Sequence, residues 1–206
     1  MNKIIKYNLE ILTCILATFF IYSIVNWGNL TALQQMTATY MVFYALHEWE
    51  ESRIPGGFYR IFFSKCTIDP NVSKSKMHFP VAIYLLIILV LPFISGDIVV
   101  LALVPLVLAL FEGFIHTAGI IIHELKKPYS PGMITAWIMF IYSIYMIPKL
   151  NEAYSLNGLT WIFGILLTII SFAIMETQFL KTVGITIKEF QTSMKNHMMQ
   201  RLKKNK

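Results

Sequence analysis

Residues 98–122 read IVVLALVPLVLALFEGFIHTAGIII, a run whose only ionisable side chains are Glu112 and His116. A helix needs about 20 mainly apolar residues to cross the hydrocarbon core of a bilayer, so this stretch predicts a membrane-spanning helix. Similar apolar runs recur along the chain, at residues 9–28, 30–45, 79–95, 132–147 and 159–179. The sequence therefore predicts an all-α integral membrane protein, built as a bundle of six transmembrane helices.

The overall composition agrees with a membrane protein. Hydrophobic side chains make up 56% of the 206 residues and charged ones only 14%, whereas about a quarter of the residues in soluble domains are charged. The net charge of +6 comes without an aromatic and basic recognition motif, so we expect the lipid bilayer as a partner and no nucleic acid. Cys14 lies in a predicted helix and Cys66 in a loop, so we expect no disulfide and no thiolate metal site.

The basic residues indicate the orientation in the membrane. Lysine and arginine concentrate in cytoplasmic loops, and six spans place every basic residue except Lys149 on one side. Both termini are therefore expected in the cytoplasm, and in a bacterium the membrane would be the plasma membrane. We expect one membrane domain, residues 1–180, followed by a basic tail, residues 181–206. Apolar residues recur in the tail at helical spacing, which is typical of an amphipathic helix on a membrane surface.

Short segments at the cytoplasmic ends also carry signals. Residues 58–65 mix aromatic and basic side chains, which predicts a segment lying on the leaflet surface. The turn at residues 130–132, Ser-Pro-Gly, predicts the start of the fifth helix, with Ser130 as its cap and Pro131 as its first residue. Gly113 and Gly119 predict close approach of a neighbouring helix.

The fourth predicted helix carries three ionisable residues on one face. Glu112, His116 and His123 are offset by 0, 4 and 11 positions, which places them within about 40° of one another on a helix. Glu112 is expected near mid-depth, His116 in the inner half and His123 just below the cytoplasmic interface. Ionisable residues at such depth are costly and usually functional, because burial in lipid strips them of water.

The second predicted helix carries a matching polar stripe. Thr37, Tyr40, Tyr44, His47 and Glu51 lie on one face, with Glu50 one step round the helix. If the second and fourth helices are neighbours, imidazoles and carboxylates converge in the inner leaflet. That ligand set suits zinc, or iron or manganese.

The metal hypothesis assigns roles to six residues. The candidate ligands of a divalent metal are His47, Glu51, Glu112, His116 and His123, and the candidate catalytic carboxylates are Glu50, Glu51 and Glu112. A spare carboxylate would act as general base toward a water activated by the metal. Glu48 is interpreted instead as an interfacial, solvated carboxylate, and His78 carries no signal. Glu112 and His116 have a second interpretation, as a hydrogen-bonded pair that fixes helix packing.

The motif HEWEE at residues 47–51 resembles the HXXEE family of small polytopic membrane proteins, which is named for it. The resemblance extends through EGFIH at residues 112–116 to YSPGMITA at residues 129–136, and covers about residues 35–150. It implies that the His and Glu residues of these motifs form one functional unit. It does not imply a particular reaction.

Three functions are compatible with the sequence. The leading hypothesis is a metal-dependent membrane hydrolase that acts on a lipid or an amphipathic small molecule entering from the inner leaflet. The second is a proton-coupled transporter or carrier that uses the same His and Glu cluster, although the chain shows no internal repeat. The third is a structural or regulatory membrane protein whose polar residues only hold the bundle together.

Overall fold

The computed structural model describes residues 2–64, 66 and 72–204, and the regular structure in these residues is helical. Two short helices accompany the long ones: α1 precedes the bundle, and α4 lies in the connection between α3 and α5. A single 3-10 turn links α2 to α3 at Trp27–Asn29. The helices are α1 (Lys3–Lys6), α2 (Asn8–Val25), α3 (Ala32–Ser52), α4 (Phe58–Phe62), α5 (Lys74–Ser95), α6 (Val99–Ile122), α7 (Met133–Tyr154), α8 (Gly158–Thr182) and α9 (Ile187–Lys204).

Five of these helices, α2 and α5 to α8, are long and apolar enough to cross a membrane. The prediction of an all-α membrane bundle is therefore confirmed, but composition supports five spans among the described residues, where six were predicted. The missing one is α3, which has 21 residues and is as long as its neighbours. It contains two glutamines and three glutamates, and this polar composition is the reason that it is not among the candidate membrane spans.

The position of α3 explains its polar composition. It lies inside the bundle against α2, α5, α6 and α7, and both its tyrosines on the predicted stripe are buried. Tyr44 donates a hydrogen bond to the Pro105 carbonyl of α6 over 2.8 Å, and Tyr40 shares one with Ser143 of α7. A helix surrounded by protein does not need a lipid-compatible surface, because its polar groups find partners on the neighbouring helices.

Side-chain contacts fix the directions of α2 and α5 relative to α3. Near the end of α3, Trp49 donates to Thr13, which lies early in α2, over 2.8 Å. Near its beginning, Gln34 donates to the Phe93 carbonyl at the end of α5 over 3.0 Å. Consequently α2 and α5 run antiparallel to α3, as helices that cross the bundle in alternating directions must.

The start of α7 differs from the prediction. Ser130 does not cap this helix and Pro131 is not its first residue, because α7 begins at Met133 with Gly132 at the capping position. Gly132 has a φ of 93°, in the left-handed region, and offers no side chain to the free amides of the first turn. Those amides must therefore find acceptors elsewhere.

A second apolar cluster closes the end of the bundle where α4 lies. Tyr59 and Phe63 pack against Phe179 and Val183 of the α8 end. Phe62 stacks on Phe190 of α9 with ring centroids 5.2 Å apart. The aromatic segment predicted to lie on the leaflet surface thus packs partly on protein. In the tail, α9 is a helix as expected, and the side chains of residues 198 and 200–206 lie outside the described part.

Candidate metal centre

The predicted convergence of two helices is present in the structure. His47 and Glu51, one turn apart on α3, face His116 of α6, and one ligand atom of each lies within 4.8 Å of the other two. The His47 Nε2 is 3.5 Å from Glu51 Oε1, and the His116 Nε2 is 3.0 Å from the same oxygen. All three residues are buried. Two imidazoles and one carboxylate therefore meet inside the bundle.

Glu112 forms the edge of this cluster. Its Oε2 lies 3.9 Å from His47 Nε2 and 3.6 Å from His116 Nε2. Unlike the other three side chains, that of Glu112 retains 18% of its exposure, against 0–7% for its neighbours. A carboxylate at the rim can meet an incoming water or substrate, which the enclosed residues cannot.

The spacing of these atoms suits a small divalent cation. With metal–ligand distances near 2.0–2.1 Å, tetrahedral ligand atoms lie about 3.3 Å apart. The four imidazole–carboxylate separations in the cluster range from 3.0 to 3.9 Å. In addition, His116 Nε2 is buried and has no hydrogen-bond partner of suitable geometry among the described residues, although Glu51 is near. A buried orphan lone pair is what a metal would satisfy.

His47 is held in the tautomer that a ligand needs. Its Nδ1 lies 3.0 Å from the Thr135 hydroxyl of α7. That hydroxyl lies only 2.6 Å from Glu50 Oε2, and it donates its single proton in a hydrogen bond to this carboxylate. The His47 Nδ1 must then carry the proton that it shares with Thr135, so its Nε2 presents a lone pair to the cluster.

His116 is oriented in the same way by a different residue. Its Nδ1 lies 3.0 Å from the Ser130 hydroxyl, which in turn lies 3.4 Å from the His116 carbonyl, an acceptor. With the Ser130 proton directed to that carbonyl, Nδ1–H donates to the oxygen and Nε2 is free of a proton. Hydroxyl or carboxylate partners on the second nitrogen are typical of metal-bound histidines.

Glu50 has a structural role that the sequence did not indicate. Its carboxylate accepts from the backbone N–H groups of Ile134 (3.1 Å) and Thr135 (2.9 Å), the first-turn amides that Gly132 leaves uncapped. It also accepts from the hydroxyls of Thr135 and Tyr129. A negative charge at a helix N-terminus is also favoured by the helix dipole. Glu50 therefore caps α7 from α3, and its four donors leave it poorly placed as the predicted catalytic base.

Tyr129 completes this cap from the loop before α7. Its hydroxyl donates to Glu50 Oε1 over 2.9 Å. Burial, with the hydrogen bond and charge of Glu50, raises the pKa of Tyr129 to about 12. The hydroxyl consequently remains a proton donor throughout the physiological pH range.

Gly132 is the point where the loop touches the cluster. A Cβ at this position would lie 2.6 Å from His116 Cε1, 2.7 Å from Glu51 Cγ and 2.9 Å from His47 Cε1. The same residue has the positive φ that side chains rarely adopt. Only glycine fits here without moving all three candidate ligands.

An aromatic ring covers the cluster on another side. Phe58, the first residue of α4, lies over His116 with ring centroids 5.2 Å apart. The rings of His47 and His116 meet edge to face at 5.1 Å. Apolar cover of this kind limits the entry of water and strengthens electrostatic interactions inside the site.

The remaining predicted residues lie elsewhere. His123 is at the end of α6, with Nδ1 3.4 Å from the Ser64 hydroxyl, and is outside the cluster. The interpretation of Glu48 as a solvated carboxylate was wrong, because it is buried and lies 2.7 Å from His78 Nε2. His78, to which the sequence gave no role, is equally buried. Its position near the expected water interface suggested solvation, but α5 packs against this side of α3 and brings His78 to Glu48.

Sequence reasoning missed the residues that orient the ligands. Ser130 and Thr135 are small hydroxyl residues in a turn and a helix start, where they commonly serve as caps, so their types alone gave no signal. The quoted stretch at residues 129–136 contains both, together with Tyr129 and Gly132. The useful signal was therefore the stretch as a whole, since it resembled a family motif.

The comparison with known families gives a match. A family described as "Protein of unknown function with HXXEE motif" matches residues 38–146, more than half of the chain. The matched region contains every residue of the cluster and of the cap on α7. Neither the comparison with curated proteins nor the comparison with solved structures gives a match.

Proposed function

This chain belongs to the HXXEE family, whose function is unknown, and from that premise we propose that it is a metal-dependent membrane hydrolase. The observation that carries the proposal is the convergence of His47, Glu51 and His116, with ligand atoms within 4.8 Å of one another. Two histidines and one carboxylate form a recurrent ligand set of catalytic zinc and of non-haem iron, and both leave an open position. The metal would be zinc, iron or manganese.

Each residue of the centre has a distinct part in this proposal. His47, His116 and Glu51 would hold the metal, and Ser130 and Thr135 would orient the two imidazoles. A bound divalent metal would supply Lewis acidity and activate water near neutral pH. Glu112, at the rim, would serve as the general base. Glu50, Tyr129 and Gly132 hold the start of α7 in place, and so they position Thr135.

The substrate class follows from the position of the centre. The cluster lies between α3 and α6, toward the ends of both helices, and Glu112 at its rim is its most exposed residue. Exposed Phe111 and Phe114 flank Glu112 in sequence. We infer a lipid or an amphipathic small molecule that reaches the centre from the membrane.

We also propose that six helices, α2, α3 and α5 to α8, cross the membrane. The alternating directions of α2, α3 and α5 support six crossings, and so does the placement of all basic residues except Lys149 on one side. Both termini would then lie in the cytoplasm, with residues 1–180 as the membrane domain and residues 181–206 as a basic tail on the inner surface. In a bacterium this would be the plasma membrane.

Metal content tests the proposal. We expect about one metal ion per chain by mass spectrometry of the protein purified without chelators. His47→Ala and His116→Ala should each lose it, because each removes one of three ligands. His123→Ala is the matched control and should retain the metal. Failure to bind zinc, iron or manganese in any preparation, including after reloading, would contradict the proposal.

A second experiment distinguishes a catalytic metal centre from a site that only binds metal. Glu112→Gln should keep the metal, since three ligands remain, and should lower hydrolysis of the lipid substrate by about 100-fold or more. Turnover by Glu112→Gln at the wild-type rate would contradict the role of Glu112.

A proton-coupled carrier is the second candidate, and one observation favours it. The buried pair of Glu48 and His78 adds a second imidazole–carboxylate contact at the same end of the bundle. Strings of such pairs form proton relays in carriers. Substrate uptake into proteoliposomes that follows an imposed proton gradient, by a protein without metal, would select this function over the hydrolase.

A further inference from the structure

A separate pocket lies at the end of the bundle where α2 and α5 begin and α3 ends. Its volume is about 160 Å³, the liquid volume of about five water molecules. Lys6, Arg53 and Lys74 line it, together with one acidic residue, Glu10. The buried side chains of Asn8 and His78 form its inner wall. None of these residues belongs to the candidate metal centre.

The charges of the pocket do not balance. Arg53 Nη2 lies 2.8 Å from Glu10 Oε1, so these two residues neutralise each other. Lys6 and Lys74 form no ion pair with another described residue. The ammonium of Lys6 lies instead over the ring of Tyr7, 4.9 Å from its centroid. The pocket thus keeps two positive charges that an anion could neutralise.

The inner wall is a fixed hydrogen-bonded network. Asn8 Nδ2 donates to the carbonyls of Ile5 and Ser75, which leaves its Oδ1 to accept from His78 Nδ1. His78 Nε2 contacts Glu48 Oε2 at 2.7 Å. Because every polar atom of the Asn8 amide is used, the wall is preorganised.

With the membrane arrangement proposed above, the pocket would lie at the depth of lipid headgroups. It is formed by the first residues of α2 and α5 and the residue after α3, and the ends of membrane-spanning helices lie at the interface. Close in sequence to these residues, in α1 and the start of α2, Ile4, Tyr7 and Ile11 are exposed apolar side chains spaced at three and four positions. A cationic pocket with an adjoining apolar strip matches a phosphate group that carries acyl chains.

We propose that this pocket binds the phosphate group of an anionic membrane lipid. Lys6 and Lys74 contact the phosphate oxygens, and the acyl chains lie along Ile4, Tyr7 and Ile11. Free phosphate shares the headgroup chemistry but cannot use the apolar strip. The proposal therefore commits to the lipid, and it stands independently of the metal centre.

Binding of a short-chain lipid to the full-length protein tests the proposal. Dioctanoyl phosphatidylglycerol is titrated into the purified protein in a neutral detergent, and binding is followed by native mass spectrometry. The variant Lys6→Gln/Lys74→Gln should bind about thirtyfold more weakly, since each lysine near a membrane surface adds about fivefold. The matched control, Lys188→Gln/Lys195→Gln, removes the same charge from α9 and should bind as the wild type does. Metal content and thermal unfolding should be unchanged in both, because all four lysines are exposed.

Three outcomes would overturn the proposal. If the control variant weakened lipid binding equally, the lipid would be attracted by the general positive charge of the protein and not by this pocket. Equally tight binding of dioctanoylglycerol, which has no phosphate, would show that apolar contact alone retains lipid. Displacement of the lipid by inorganic phosphate at equal concentration would show that the apolar strip contributes nothing and that the ligand is free phosphate.

Discussion

At the residue scale, the candidate centre depends on the hydrogen atoms of two hydroxyl groups. Thr135 donates to Glu50 and so accepts a hydrogen bond from His47 Nδ1–H, while Ser130 donates to a carbonyl and accepts a hydrogen bond from His116 Nδ1–H. Both imidazoles consequently turn a lone pair toward Glu51. This arrangement could not be read from the sequence, because it depends on which partner each hydroxyl meets in the fold.

Removal of the Thr135 hydroxyl tests this orientation. Thr135→Val keeps the shape of the side chain but leaves His47 Nδ1 without its acceptor, so we expect metal affinity to fall by about 10–100-fold. Thr135→Ser restores the hydroxyl and should restore affinity. Equal metal affinity in Thr135→Val and the wild type, measured by competition with a chelating dye, would show that the hydroxyl does not orient the ligand.

A substitution at Gly132 tests the close contact of the loop with the cluster. Gly132→Ala forces a side chain into a left-handed conformation, which costs about 1–2 kcal/mol, and directs its Cβ into three candidate ligands. We expect loss of metal and a lower temperature of thermal unfolding. Gly119→Ala is the control, since a Cβ there meets nothing within 4 Å and alanine favours a helix. A Gly132→Ala protein with full metal content would refute the contact.

At the element scale, the start of α7 is built by another helix. The sequence predicted a cap from Ser130, but Gly132 occupies the capping position and the carboxylate of Glu50 supplies the acceptor. The expected close approach at Gly113 is confirmed, since a Cβ there would lie 2.8 Å from Phe140 of α7. The same expectation at Gly119 was wrong, because that side of α6 has no close neighbour among the described residues. Local patterns predicted where helices occur, and packing decided which polar groups meet.

The cap predicts a stability effect at Glu50. Glu50→Gln places an amide where four donors point, so we expect the free energy of unfolding to fall by about 1–2 kcal/mol, as with other lost caps. Metal should still bind, because Glu50 is not a ligand. If Glu50→Gln instead kept wild-type stability and abolished turnover, Glu50 would be catalytic, as the sequence first suggested.

The pH dependence of the same cap has a definite sign. Folding raises the pKa of Tyr129 from about 10 to about 12, so its contribution is complete below pH 10 and is lost as the pH rises through 12. Tyr129→Phe lacks this contribution. The difference in unfolding temperature between wild type and Tyr129→Phe should therefore be constant up to about pH 10 and shrink above it. A difference that stays constant to pH 12 would contradict the hydrogen bond to Glu50.

At the scale of the whole molecule, hydrophobicity predicted the bundle but not its centre. Four of the five most apolar helices, α2, α5, α6 and α7, pack against α3, whose polar side chains are tolerated because protein shields them from lipid. The resemblance to a family indicated that residues 47–51, 112–116 and 129–136 act together. The sequence could not show that Glu48 turns toward His78 of α5. Glu48 is buried only because α5 packs against it, and the spacing of residues within α3 does not reveal which helix packs there.

The number of crossings has a direct consequence for the termini. The six crossings proposed above, with α3 as one of them, would place both ends of the chain on the same side, and the basic residues would make that side the cytoplasmic one. Reporter fusions that fluoresce only in the cytoplasm should therefore be active at either terminus, whereas a fusion after Asn29 should be inactive. Activity at only one terminus would mean that α3 does not cross.

The central claim is that His47, His116 and Glu51 hold one metal ion inside the bundle. X-ray absorption at the edge of the bound metal, measured on the purified protein, tests it most directly. We expect nitrogen and oxygen neighbours at about 2.0–2.1 Å, with the outer-shell scattering pattern of two imidazoles, and no metal signal from His47→Ala. A sulfur shell at about 2.3 Å, a spectrum without imidazole scattering, or an undiminished metal signal from His47→Ala would contradict the account.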